Sequence, residues 1–216
     1  MPGDMRPFGR VAAGISMIVA PLLMLVASAL GPSHEESRTL AGPLPTIAVS
    51  PNRFLISVIL GLLALGVLVP AVLGVAHVVG TRQPRLAMIG AGFLVAGILC
   101  SAVVKGIELV QHQMVDEGAD RTQMVSLLER LEAGTGLRIV LVVFLSGLML
   151  GWVVLSLGLF RSPSVPRALP GLIIASLVVN VAGEELISRV LFLAGLGWLG
   201  ILVVTQREDV WVSMTG

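Results

Sequence analysis

Apolar and polar positions along most of this chain follow neither the two-residue alternation of a half-buried strand nor the spaced stripe of an amphipathic helix. The apolar residues come in long runs, at about residues 11–30, 54–79, 86–104, 139–160, 168–182 and 186–205. A run of about 20 residues is what a helix needs to cross a bilayer core about 30 Å thick. Inside lipid each backbone N–H and C=O must be bonded within its own element, and these runs exceed the roughly ten-residue alternating segments of barrel strands. The pattern predicts an all-α, polytopic transmembrane bundle of six helices. It forms one integral membrane domain over residues 1–216, with the lipid bilayer as its solvent.

The stretches between the runs are of two kinds. Residues 31–53 carry Pro32, Pro43, Pro45 and Pro51 among glycine and serine, which suits an extended loop over helix ends. Residues 105–138 hold a second pattern, in which Met124, Leu127, Leu128 and Leu131 recur at helical spacing. Asp120 and Gln123 resemble a capping box there, and Gly134 offers a stop. This long loop should contain a short amphipathic helix whose apolar side rests on helix ends or lipid.

Composition supports the membrane reading: 56% of 216 residues are hydrophobic, 12% are charged and the mean hydropathy is +0.98, well outside the usual range of soluble domains. Arg6 and Arg10 precede the first run and "ASALG" resembles a cleavage site, yet the run exceeds the usual 7–15 or so apolar residues of a secretory signal, so it is expected to be a retained helix. The single cysteine, Cys100, has no partner for an intrachain disulfide.

Charge sets the orientation. Short loops rich in Arg and Lys stay on the cytoplasmic side, and "GTRQPR" and "RSPSVPR" are the short basic loops here, whereas the long loops are mixed or acidic. Both termini are therefore expected in the cytoplasm, in a multi-pass protein of a bacterial cell membrane. Pro21 and Pro70 fall within runs and should bend their helices. Gly147 and Gly151 form a G-x-x-x-G pair, and Gly90, Gly97, Gly195 and Gly200 open further gaps. Such gaps are expected to serve packing within the chain more than a dimer face.

The unusual chemistry lies in "GEELISRVLF", residues 183–192. Glu184, Glu185 and Arg189 resemble the opening motif of the CAAX-type intramembrane proteases. That family completes its water-activating centre with histidines on later helices, and His34, His77 and His112 all lie upstream, so this activity is not expected. In physical terms, Glu185 and Arg189 stand four apart on one side of the last helix. The run before them is short, about 22 Å at ~1.5 Å per residue, which should set the Gly183 turn below the outer surface and Arg189 about a turn deeper, with Asn180 nearby. Charged groups at such depth are paired or functional.

A second polar stripe ends the third run, where Ser101, Lys105, Glu108 and His112 share a helix face and should emerge at the same end as His34, Glu35 and Glu36. The candidate polar cluster is thus Lys105, Glu108, His112, Asn180, Glu184, Glu185 and Arg189. Histidines and carboxylates are ligand types for divalent metals, but no local spacing imitates a metal site, and His77 has no second histidine at its depth for haem. No nucleotide fingerprint occurs. No catalytic residue, metal, cofactor or nucleic-acid partner is expected.

From Arg53 onward the chain resembles a bacterial membrane family known as domain of unknown function 4386. The resemblance rests on "NRFLISVILGLL", on "GLMLGWVVLSLGLFRSPSVPRALPGLI" and on "ADRTQMVSLLERLEAGTG". It implies six helices in a bacterial cell membrane and brings no established catalytic residues. The lack of tyrosine and the paired glutamates depart from the family pattern. Two functions stay open. One is a non-enzymatic membrane protein, such as a partner subunit, sensor or carrier, with a membrane-protein partner or a second copy of itself. The other is an enzyme acting on a lipid or lipid-linked substrate at the outer leaflet through Glu184, Glu185, Glu108 and His112.

Overall fold

The computed structural model describes residues 6–32, 39–115, 121–163 and 165–205. Regular structure among them is helical: α1 (Arg6–Leu30), α2 (Leu44–Val49), α3 (Pro51–Gly80), α4 (Pro84–Met114), α5 (Arg121–Ala133), α6 (Thr135–Phe160), α7 (Ala168–Val181) and α8 (Glu185–Thr205). Five of these, α1, α3, α4, α6 and α8, are long and apolar enough to cross a membrane. The apolar α7 has 14 residues, about 21 Å of helix, and falls short of the same criterion.

Local chemistry sets the boundaries. Pro51 and Pro84 start α3 and α4 in the first turn, where the missing N–H has no helical acceptor to lose. Gly134, extended at φ −67° and ψ 134°, separates α5 from α6. Between α7 and α8, Gly183 has φ 93°, a conformation open to glycine without steric cost. Around it Glu184 N–H donates to Val179 O (3.2 Å) and Gly183 N–H to Asn180 O (3.1 Å), the paired bonds of a Schellman turn.

The five long apolar helices and the shorter α7 form a ring in chain order, α1–α3–α4–α6–α7–α8, closed by extensive packing of α8 on α1. Facing residues show antiparallel neighbours. Ser57 on α3 bonds Ala27 on α1 near one end of the bundle, while Gly74 meets Ala13 and Met17 near the other. Likewise Ser28 on α1 meets Glu185 on α8, and Gly14 meets Gly200. One end of the ring therefore gathers the end of α1, the start of α3, the end of α4, α5 and the α7–α8 turn.

The interior is apolar from Leu65 and Ile98 down to Val79 and Ala87. Trp152 on α6 and Phe192 on α8 meet edge to face across it, with ring centroids 5.0 Å apart. Outward positions such as Met88, Leu99 and Val142 are exposed hydrophobics, as lipid contact requires. At the crossing of α4 on α6, a Cβ added to Gly97 would sit 2.8 Å from Leu148 N and one added to Gly147 would sit 2.8 Å from Phe93 O. The G-x-x-x-G pair of α6 is thus consumed within the chain, because small residues let the backbones touch. Pro21 and Pro70 lie inside continuous helices.

Two expectations need correction. Residues 105–114 are not loop: α4 continues ten residues beyond the apolar run, because Lys, Glu and Gln sustain a helix as well as Leu does. The proline-rich loop carries the short helix α2 and hands over to α3 at Pro51. On α5, Leu128 is 1% exposed and Met124 half-buried, while Leu127 and Leu131 are 53% and 42% exposed, so the helix leans on α6 along one edge of its apolar stripe. Asp120, expected to cap it, lies outside the described residues, as do His34, Glu35 and Glu36.

Candidate polar site

Glu185 opens α8, where a carboxylate is favoured by the positive end of the helix dipole. One turn on, Arg189 Nη2 donates to Glu185 Oε1 at 3.3 Å, the four-residue spacing bringing the two side chains together. Ser28, near the end of α1, completes the group: its hydroxyl donates to Glu185 Oε1 (2.9 Å) and accepts from Arg189 Nε (3.2 Å). Both charged side chains are about 30% exposed (28% and 32%). The ion pair is thereby a lock between α8 and α1, with one hydroxyl serving both charges. Ser188, alongside, donates to Ser176 O at 2.9 Å and ties α8 to α7.

The adjacent glutamate behaves differently. Consecutive helical positions diverge by about 100°. Glu184 is exposed and takes no side-chain partner among the described residues, while its carbonyl accepts Ser188 N–H (3.0 Å) as α8 begins. Asn180 is half-buried and participates through its backbone carbonyl in the Gly183 turn. Helical register sets the depth of this turn. Glu185 is level with Ser28, two residues from the end of α1, and Ser57 is level with Ala27. Because α3 begins six residues before Ser57, the turn stands about 9 Å short of the start of α3.

The α4 stripe forms its own pair. Lys105 Nζ donates to both carboxylate oxygens of Glu108, at 2.8 and 2.7 Å, with side chains 28% and 24% exposed. The Lys105 stem crosses α3 at Gly61, where an added Cβ would lie 3.0 Å from Lys105 Cε, so the missing side chain makes room for the alkyl chain to run toward the bundle end. Higher up, Gln111 is buried and donates to Leu40 O at 2.8 Å, while Glu132 on α5 accepts Leu40 N–H at 3.3 Å, so the loop between α1 and α2 is strapped to α4 and α5. His112 Nδ1 lies 3.5 Å from Gln113 Nε2, and its buried Nε2 has no hydrogen-bond partner.

The expected cluster therefore divides. Glu185 and Arg189 belong to the α1–α8 seam and Lys105 and Glu108 to the α3–α4 seam, with α1 and α3 between them in the ring. No hydrogen bond or ion pair among the described residues joins the two groups, and none gathers three His, Cys, Asp or Glu side chains where a metal could be held. Sequence reasoning missed Ser28, whose only signal is a hydroxyl in the last turn of an apolar helix. It also missed Arg53, on the first turn of α3, which donates to Ala29 O at 2.9 Å. Comparison with protein-family models, with curated proteins and with solved structures finds no match for this chain.

Proposed function

We propose that this chain is a six-span, non-enzymatic protein of a bacterial cell membrane, with both termini cytoplasmic, that serves as a partner subunit or sensor through its polar outer end. Counting α7 as the sixth span is supported by its place in the ring between α6 and α8 and by its apolar sequence, with the recessed Gly183 turn compensating for its length. The basic loops at the other end of the bundle favour the cytoplasmic side for both termini. The resemblance to domain of unknown function 4386 fits the same placement.

The observation that carries the functional reading is the way the ionisable groups are used. Each acid that could serve as general acid or base from within the bundle, Glu108 or Glu185, is neutralised by a cation on its own helix. The interior below the level of the two pairs is largely an apolar core, which favours a partner subunit or sensor over a carrier, because a carried polar solute needs polar or watery surroundings. Glu184, by contrast, is exposed at the bundle end and His112 partly so, with its Nε2 buried, which makes Glu184 the ionisable group most open to a partner.

Two measurements test this reading. In a Cys100→Ala background, a membrane-impermeant thiol reagent should label a cysteine at Ser126 from outside the cell and leave one at Gln83 unlabelled; the reverse pattern overturns the topology. Photo-crosslinkers at Glu184 and His112 should give discrete protein adducts in intact cells, while one at the lipid-facing Met88 should not. Absence of adducts, together with turnover of membrane lipid that is lost in Glu108→Gln or Glu184→Gln, would instead establish the enzymatic alternative.

A further inference from the structure

Where α1 ends, α2 and the first turn of α3 enclose a cleft of about 380 Å³, within the range of small-ligand sites. One wall is apolar, from Leu30, Ile47, Val49 and Phe54, and the mouth is polar, from Ser50 and Arg53. The cleft lies where the apolar stretch of α1 ends at Leu30 and that of α3 begins at Pro51, the height at which hydrocarbon gives way to headgroups.

Arg53 is exposed and spends one guanidinium N–H on Ala29 O, which holds its plane across the end of α1. Among the described residues it makes no ion pair, unlike Lys105 and Arg189, and no carboxylate lines the cleft. The Ser50 hydroxyl makes no capping bond to α3 and remains able to donate. A guanidinium without a carboxylate partner among the described residues, and with several donors to spare, is suited to a phosphate oxygen pair. The apolar wall suits the glycerol and first acyl carbons that follow such a phosphate in a phospholipid.

The geometry points to a binding site for the headgroup of a net-anionic phospholipid, with Arg53 holding the phosphate, Ser50 assisting, and Val49, Ile47 and Phe54 against the glycerol and upper chains. Net negative charge is preferred because a choline or ethanolamine cation would sit beside a guanidinium that no described residue of the cleft offsets. The site does not depend on which side of the membrane this end faces, so a reversed topology would leave it standing. Free phosphate shares the anionic chemistry but lacks the part that fills the apolar wall.

The test is thermal unfolding of the purified full chain in neutral detergent, titrated with dihexanoyl phosphatidylglycerol, dihexanoyl phosphatidylcholine or inorganic phosphate, since a ligand that binds the folded state raises its melting temperature. The phosphatidylglycerol should stabilise at the lowest concentration, and Arg53→Gln should raise that concentration about tenfold or more, as expected for loss of a charge-assisted contact. Val49→Glu should do the same without altering lipid-free melting, because Val49 is 83% exposed and its change leaves the core intact; this variant decides the matter if Arg53→Gln does not fold. Equal stabilisation by both lipids, an equal response to inorganic phosphate, or a wild-type response in Val49→Glu would overturn the assignment.

Discussion

Replacing Gly97 by alanine should destabilise the bundle by about 1–2 kcal/mol, and the structure supplies the terms. The new Cβ would sit 2.8 Å from Leu148 N and 3.0 Å from Leu148 Cδ2, against 3.4–4 Å for ordinary contact. Leu148 N is backbone, so it cannot swing aside, and α4 and α6 must part locally by roughly half an ångström. Opening a contact by that much forfeits at least a quarter of each well of about 0.1–0.2 kcal/mol, and some twenty atom pairs at the crossing make this about 1 kcal/mol. Residual strain adds to the loss, while the better helix propensity of alanine returns up to about 1 kcal/mol. Gly92, also on α4, is the control, because nothing lies within 4 Å of its added Cβ. Gly92→Ala should be neutral or mildly stabilising. Unfolding by sodium dodecyl sulfate, followed by circular dichroism, measures both variants, and equal stability of the two would refute the crossing as the seam that holds α4 to α6.

Arg189→Ala should cost about 1–3 kcal/mol in the same assay, since it removes two hydrogen bonds and leaves Glu185 half-buried with Ser28 alone, whereas Arg130→Ala on the exposed face of α5 should cost less than about 0.5 kcal/mol. On α5, Leu128→Ala should loosen the helix enough to speed proteolysis within residues 121–133, and Leu127→Ala should not, because Leu128 is 1% exposed and Leu127 is 53% exposed. Equal cleavage of the two would show that α5 is held by something other than the Leu128 contact.

Much of the architecture was legible because the bilayer imposes length and composition at once. Each apolar run is a helix within a few residues of its expected bounds, apart from the far end of α4. That end was hidden because hydropathy stops at Lys105 while helical hydrogen bonding continues to Met114. The Glu185–Arg189 pair was readable from a four-residue spacing, as was the Lys105–Glu108 pair from a shared face. Ser28 was not, since its partners lie 157 and 161 residues away and only the closure of α8 on α1 brings them together. The same closure puts α1 and α3 between the two charged pairs, so what reads as one cluster along the chain is two in space. Gly183 could be placed at a turn from sequence, and the roughly 100° between neighbouring helical positions already separates a Glu185 that reaches Arg189 from a Glu184 that faces outward.

The central claim is that the paired glutamates do different work, Glu185 as a structural lock and Glu184 as a free surface group. A double-mutant cycle of Glu185→Gln and Arg189→Gln on unfolding free energy tests it most directly. A coupling of about 0.5–1.5 kcal/mol is expected, reaching beyond the roughly 0.2–1 kcal/mol of exposed pairs because Ser28 joins the two groups, with Glu184→Gln near neutral. Zero coupling between Glu185 and Arg189, with Glu184→Gln as damaging as Glu185→Gln, would contradict it.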